Sequence, residues 1–245
     1  MINDGITKNV GEITSFLMIG QSNMAGRGDF GEVEPIVNKN CFMLRMGRWQ
    51  PMSEPINVDR DVLNIRFHSG ISLGASFADE MSKYLCGKVG LIPCADGGTR
   101  IEQWQPGEVL FDHAVMMTKL AMRTSNFGGI IWHQGESNCR DFDAAKYREL
   151  FLNTINGLRH ELGAEDLPLV IGEISDKIGE EWNISDKVPQ MNALLHSLAD
   201  ELPMCGIVPV CDLALKNDHL HFNSASLRVL GRRYFEKARD IMNGG

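Results

Sequence analysis

Two textures alternate along the chain. Six segments of strand length are almost continuously apolar: 13–20, 41–45, 88–94, 129–133, 167–174 and 207–211. A strand with one wet face alternates polar and apolar residues. These segments do not, which predicts strands covered on both faces. Between them apolar residues step by three and four. Leu73, Phe77, Met81 and Leu85 form one stripe, and Leu110, Ala114, Met117 and Ala121 a second. Ala144, Tyr147, Phe151, Ile155, Leu158 and Leu162 form a third, Val188, Met191, Leu195, Leu198 and Leu202 a fourth, and Leu227, Leu230, Tyr234, Ala238 and Ile241 a fifth. That is the period of amphipathic helices. Strand–helix alternation predicts a mostly parallel sheet sandwiched by helices, a three-layer αβα fold with right-handed crossovers. No repeat or Pro/Gly/Ser-rich linker interrupts the pattern, so residues 1–245 are expected to form a single domain. The irregular stretch 45–69 is expected to wander over a sheet edge near the active face.

In an open α/β sheet, ligands bind at the carboxyl ends of the strands. The residues that follow each predicted strand are therefore the candidates for chemistry. After the first comes Gly20-Gln21-Ser22-Asn23-Met24-Ala25-Gly26. Ser22 stands at a strand-to-helix turn, where its own N–H can face an anion, or where it simply caps a helix. Met24 occupies the position of the second glycine of a G-x-S-x-G elbow, so that motif is absent. After the third strand comes Asp96-Gly97-Gly98-Thr99-Arg100, then Glu102 and Trp104. The glycine pair allows close approach of backbone to a ligand, or is a plain turn. After the fourth comes His133-Gln134-Gly135-Glu136-Ser137-Asn138, a polar block suited to a pocket or to a helix cap. His133 itself is expected to pack or bond locally.

After the last strand, Asp218 and His221 stand three apart. Within one turn a carboxylate can accept from imidazole Nδ1–H and leave Nε2 outward as a base. A solvated polar loop is the plain alternative, and His219 and His221 with Cys205 and Cys211 could be imagined as zinc ligands. His68 precedes a helix and could line the pocket, whereas His113, His160 and His196 fall in predicted helices.

Composition narrows the functional classes. Of 245 residues, 43% are hydrophobic and 23% charged, which excludes disordered and collagen-like chains. Net charge is −8 and no basic run is present, so nucleic acid and anionic membrane are not expected partners. No apolar run approaches the ~18 residues that would span a bilayer. The six cysteines, Cys41, Cys86, Cys94, Cys139, Cys205 and Cys211, are irregularly spaced and contain no C-x-x-C pair. Free thiols, with an N-terminus that lacks a secretory pattern, predict a cytoplasmic location.

The strand-end segments GQSNMAG (20–26), GGTRIEQW (97–104), HQGESN (133–138) and the DHLHFN…LGRRY stretch (218–234), with SGISLGASFADEM (69–81), resemble the SGNH hydrolases. They are most similar to the carbohydrate-esterase branch that holds acetylxylan esterases and sialate O-acetylesterases. The resemblance runs from about residue 16 to residue 234. It implies a flavodoxin-like αβα sandwich, with Ser22 as nucleophile, His221 as general base and Asp218 as its partner. It implies an oxyanion hole from the Ser22 N–H, a glycine N–H and the Gln134 amide, with Gly98 favoured over Gly97. Gln21, Asn23, Gly97 and Glu136 would support the site. Arg100 and Trp104 would wall the sugar side, unless Trp104 is core and Arg100 a solvated charge.

Two departures stand out. Arg100 replaces a small polar residue common in relatives, and Asn138 replaces a frequent Asp. The implied activity is removal of O-acetyl groups from an oligosaccharide or sialic acid through an acetyl-serine, with no metal or organic cofactor. Alternatives are a short-chain esterase on non-sugar esters, an inactive sugar-binding relative and a metallohydrolase. Oligomeric state is left open by the sequence.

Overall fold

The computed structural model describes residues 13–58 and 68–244. Seven strands form one sheet: β1 (Ile13–Gly20), β2 (Cys41–Arg45), β3 (Arg48–Pro51), β4 (Lys88–Pro93), β5 (Asn126–His133), β6 (Leu169–Gly172) and β7 (Cys205–Val208). Their spatial order is β3-β2-β4-β1-β5-β6-β7, and every pairing except β2–β3 is parallel. Without the β2–β3 hairpin, the order of the other five is the flavodoxin-like 2-1-3-4-5. The helices are α1 (Ser22–Ala25), α2 (Leu73–Tyr84), α3 (Val109–Ala121), α4 (Ala144–Leu162), α5 (Val188–Glu201) and α6 (Ser224–Gly244).

The unbroken apolarity of the strands has a direct cause. Along β1, Leu17 and Ile19 enter one core, with Phe111, Phe151, Leu158 and Leu195 of α3, α4 and α5. Phe16 and Met18 enter the other, with Phe77, Met81, Leu227 and Tyr234 of α2 and α6. Side chains alternate faces along a strand, so a strand buried on both sides is apolar at every position. The result is the αβα sandwich expected from the pattern.

Local signals set the boundaries. Asp143 caps α4 by accepting from Lys146 N–H at 3.0 Å, and Gly163 ends it in the left-handed conformation. β7 starts at Cys205 and stops at Val208, two or three residues earlier than the hydrophobic run suggests. Pro209 follows immediately and has no N–H for the ladder. The edge strand β3 carries no apolar signal in its sequence, RWQP. It forms because Met46 and Gly47 both adopt positive φ, 51° and 73°, the backbone of a tight hairpin turn. Part of the expected excursion over 45–69 is therefore an ordered edge. Residues 59–67 of it lie outside the described residues.

Helices α2 and α6 pack side by side with almost no clearance. A Cβ on Gly231 would fall 2.0 Å from the Leu73 carbonyl oxygen and 2.2 Å from Ser76 Oγ. Gly231→Ala is therefore expected to force the helices apart. It should lower unfolding free energy by about 1–3 kcal/mol, the usual cost of overpacking a close contact, in a denaturant titration. Unchanged stability would mean the helix pair has slack that this contact denies.

Candidate active site

The carboxyl ends of β1, β4, β5 and β6 and the loop before α6 surround a cavity of about 470 Å³. Its position follows from how β1 ends. Gly20 has φ +132°, and a Cβ there would lie 2.1 Å from the His133 carbonyl oxygen. Only glycine lets the chain cross so close to the end of β5. Gln21 N–H then donates to that same oxygen at 2.9 Å, and Ser22 opens α1 at the cavity wall.

Three side chains from opposite ends of the sequence meet there. Ser22 Oγ lies 2.9 Å from His221 Nε2, and His221 Nδ1 lies 2.8 Å from Asp218 Oδ2. The other carboxylate oxygen, Oδ1, accepts from Leu220 N–H at 3.0 Å and His221 N–H at 2.9 Å, which fixes the carboxylate on its own turn. Trp182 Nε1 donates to the Asp218 carbonyl at 2.7 Å. His219 takes positive φ, 52°, and turns outward, where its Nδ1 lies 3.0 Å from Glu181 Oε1 on the exposed surface.

Electrostatics suit a base that is neutral near pH 7. Burial pushes the His221 pKa below its ordinary value. Asp218 opposes that shift, while Arg27 and Lys216 add to it. Burial works against the Asp218 carboxylate, but the His221 and Leu220 donors outweigh it and its pKa falls.

Asn23 ties the serine turn to the histidine loop. Its Oδ1 accepts from Phe222 N–H at 3.2 Å, and its Nδ2 donates to the Leu220 carbonyl at 3.4 Å and to Glu136 Oε1 at 2.7 Å. Gln21 Oε1 faces the N–H groups of Gly135 and Ser137 at 3.5 and 3.4 Å. Both side chains thus link the serine turn to neighbouring loops of the cavity.

Beside Ser22 lies the glycine pair. A side chain on Gly97 would reach within 3.7 Å of Ser22 Cβ, whereas one on Gly98, at φ +74°, would meet open space. Among the described residues no backbone acceptor takes the N–H of Ser22, Gly97 or Gly98. All three therefore remain as donors at the cavity wall.

Two expectations need correction. Gln134 does not line the cavity: it is fully buried and its amide is spent. Its Nε2 donates to Asn138 Oδ1 at 2.8 Å and Thr99 O at 3.1 Å, and its Oε1 accepts from Tyr147 Oη at 2.9 Å. It braces the 96–104 loop against the 134–138 block and is not available as an oxyanion donor.

Trp104 is fully buried too. Its indole donates to Thr99 Oγ1 at 3.1 Å and meets Trp132 edge to face, so it is core and no wall for a sugar. Arg100 does reach the cavity, but its guanidinium is engaged by Asp141 at 2.7 Å and the Ser137 carbonyl at 3.2 Å. His68 is exposed and outside the cavity lining.

The cavity rim also holds residues that the sequence motifs pass over: Arg27, Asn57, Arg140 and Trp182. Trp182 lies past β6, whose following stretch SDKIGEEW has no Gly pair or Ser/His signature to mark it. Its position after a strand end was the one available clue. Among the described residues no cluster of three or more His, Cys, Asp or Glu could hold a metal ion, and no helix is long and apolar enough to cross a membrane.

Comparison with known proteins gives the family of the chain. A relative from Arabidopsis thaliana, named as a probable carbohydrate esterase, is 30% identical over 236 residues, 88% of this chain and 86% of its own. A solved Arabidopsis thaliana structure superposes with a TM-score of 0.77 at 28% identity, covering 96% of this chain and 99% of that one. NanS superposes equally well, TM-score 0.77, at 16% identity and with coverage of 96% and 99%. A carbohydrate acetylesterase from Xanthomonas citri gives a TM-score of 0.62 at 21% identity, covering 95% of this chain and 57% of the other. The family model for carbohydrate esterases of the sialic acid-specific acetylesterase type matches residues 12–240, so this chain is a carboxylic ester hydrolase of that carbohydrate esterase family.

Proposed function

We propose that the protein is a serine O-acetylesterase that removes acetyl groups from a carboxylate-bearing sugar. The observation that carries the mechanism is the unbroken line Ser22 Oγ, His221 Nε2, His221 Nδ1, Asp218 Oδ2, with both links under 3 Å. A nucleophile, a base and a group that orients the base are the parts that acyl transfer through a serine requires.

His221 Nε2 takes the Ser22 proton as Oγ attacks the acetyl carbonyl. The N–H groups of Ser22 and of the Gly97–Gly98 pair receive the oxyanion. Each such donor is worth about 3 kcal/mol in comparable sites. The imidazolium returns its proton to the departing sugar hydroxyl. Water, deprotonated by His221, then attacks the acetyl-serine, releases acetate and restores the hydroxyl. Asp218 holds the Nδ1–H tautomer throughout and stabilises the imidazolium.

The preference for an acidic sugar rests on the rim, where three arginines, Arg27, Arg100 and Arg140, line one cavity. Guanidinium groups match carboxylate geometry. Trp182 adds an aromatic surface to the same wall, of the kind that takes a sugar ring.

Four outcomes test this reading. Ser22→Ala should cost about 10⁴–10⁶ in kcat with unchanged thermal unfolding; retention of a tenth of kcat would overturn the assignment. His221→Ala should approach that loss, while His219→Ala, at an exposed contact with Glu181, should stay near wild type; equal losses would mean the base lies elsewhere. The pH profile of kcat/KM should report the base. Burial lowers the His221 pKa, so activity should be full at pH 7 and fall on acidification, with its midpoint below the ordinary value of about 6.5. A midpoint above that value would contradict the buried-base account. For substrate class, Trp182→Ala should depress kcat/KM for O-acetyl sialic acid far more than for a small aryl acetate. Equal proportional losses would show that Trp182 acts only by bracing Asp218.

A further inference from the structure

The loop that carries Gly97 and Gly98 has no helix or strand between Pro93 and Ile101. Loops of this kind are held by hydrogen bonds from outside or not at all. On the near side, Asp96 N–H donates to the Gly20 carbonyl at 2.9 Å. Inside the loop, Thr99 Oγ1 donates to the Asp96 carbonyl at 2.7 Å. On the far side, the Thr99 carbonyl accepts from Gln134 Nε2 at 3.1 Å, and Ile101 N–H donates to Asn138 Oδ1 at 2.9 Å. Gly97 and Gly98 are the two residues left between these fixed points.

Asn138 is the hub of the far side. It is 5% exposed, and both ends of its amide are used. Oδ1 accepts from Ile101 N–H and from Gln134 Nε2 at 2.8 Å, while Nδ2 donates to Glu102 Oε2 at 3.0 Å. Its neighbours fix which way the amide points. Ile101 N–H can only donate, so an oxygen must face it. Gln134 turns its nitrogen to the same oxygen, because the Thr99 carbonyl beside it can only accept. The Asn138 nitrogen is then left facing Glu102.

Glu102 stands outside the cavity lining. Its Oε1 pairs with Lys146 Nζ at 2.8 Å, and its Oε2 lies 3.5 Å from Arg100 Nε. Burial works against its charge, but Lys146, a backbone N–H, Asn138 and Arg100 outweigh it and bring the pKa down to about 2. The group that Asn138 Nδ2 meets is therefore a carboxylate, which needs a donor opposite it.

We propose that Asn138 is a positioning residue for the oxyanion loop, and that the position requires an amide: its oxygen holds Ile101 N–H and Gln134 while its nitrogen holds the Glu102 carboxylate. A carboxylate at 138 would keep the first set of bonds and set two acceptors against each other at the second, with no proton between them. An alanine would leave the buried Ile101 N–H without its acceptor. Either change releases the loop just past the glycine donors. Those donors act on the oxyanion of the transition state, so their displacement should lower kcat and leave KM in place.

The kinetic consequence rests on the serine-esterase reading, whereas the restraint on the loop does not. Hydrogen–deuterium exchange without substrate should therefore run about tenfold faster or more over residues 97–104 in Asn138→Ala and in Asn138→Asp than in wild type, as expected of a segment that opens locally. Adding Glu102→Gln to Asn138→Asp supplies the missing donor and should return exchange to near the wild-type rate. In turnover, both single variants should lose on the order of 10²-fold in kcat, the scale of a misplacement of about 1 Å at a reacting centre, with KM within about twofold. The double variant should recover most of that loss. Wild-type exchange in both single variants, a double variant as impaired as Asn138→Asp, or a loss shared between kcat and KM would overturn the proposal. Ser22→Ala, assayed beside them, keeps the two questions apart. Retention of about a tenth of kcat there overturns the serine reading, while the exchange rates still decide whether Asn138 holds the loop.

Discussion

The three hydrogen bonds of the Asn23 side chain hold together three stretches of chain that are remote in sequence. Its amide reaches Glu136 after β5 and the backbone of Leu220 and Phe222 before α6, while its own backbone carries Ser22 one residue away. A nucleophile and a base more than 190 residues apart can keep a 2.9 Å contact only if their loops cannot drift. Loops on an α/β scaffold are its most mobile parts. Here the loops are linked to each other as well as to the sheet, at the point where β1 ends against β5. Gly20 permits that crossing, and the Asn23 contacts hold what it delivers.

The two carboxyl groups of the site are pushed in opposite directions. Asp218 is kept ionised by two backbone N–H groups and the imidazole, so its charge is available to the imidazolium that forms during turnover. Glu136, on the far side of Asn23, is pushed the other way by burial, which outweighs the Asn23 and backbone N–H bonds to its carboxyl. Two carboxyl groups with opposite pKa directions in one site is a common way for a site to divide structural and catalytic work. The rim differs in turn, with three arginines around the cavity of a chain whose net charge is −8.

Much of this was legible in the sequence because burial on both faces of a sheet leaves a strong imprint. The strand at 13–20 and the helix over 144–162 are read from the apolar pattern alone. Ser22, Asp218 and His221 are legible because strand ends are where an α/β sheet exposes reactive groups, and because Asp-x-x-His closes within one turn. What escaped has a different physical origin. β3 is an edge strand specified by the backbone of Met46 and Gly47, not by hydrophobicity. Trp104 and Trp182 have the same side chain, and only three-dimensional packing sends the first into the core and the second to the rim. Gln134 stands in the right block for an oxyanion donor, but Asn138 and Thr99 take its amide first, a competition that no linear motif records.

The central claim is that Ser22 is the nucleophile and that His221 activates it. The most direct measurement is covalent labelling with a fluorophosphonate, with peptide mass mapping and the labelling rate followed against pH. The account predicts stoichiometric modification of the peptide that carries Ser22, parallel loss of esterase activity, and a rate that falls on acidification with the same midpoint as kcat/KM. Modification at another residue, or full activity in protein labelled at Ser22, would contradict it.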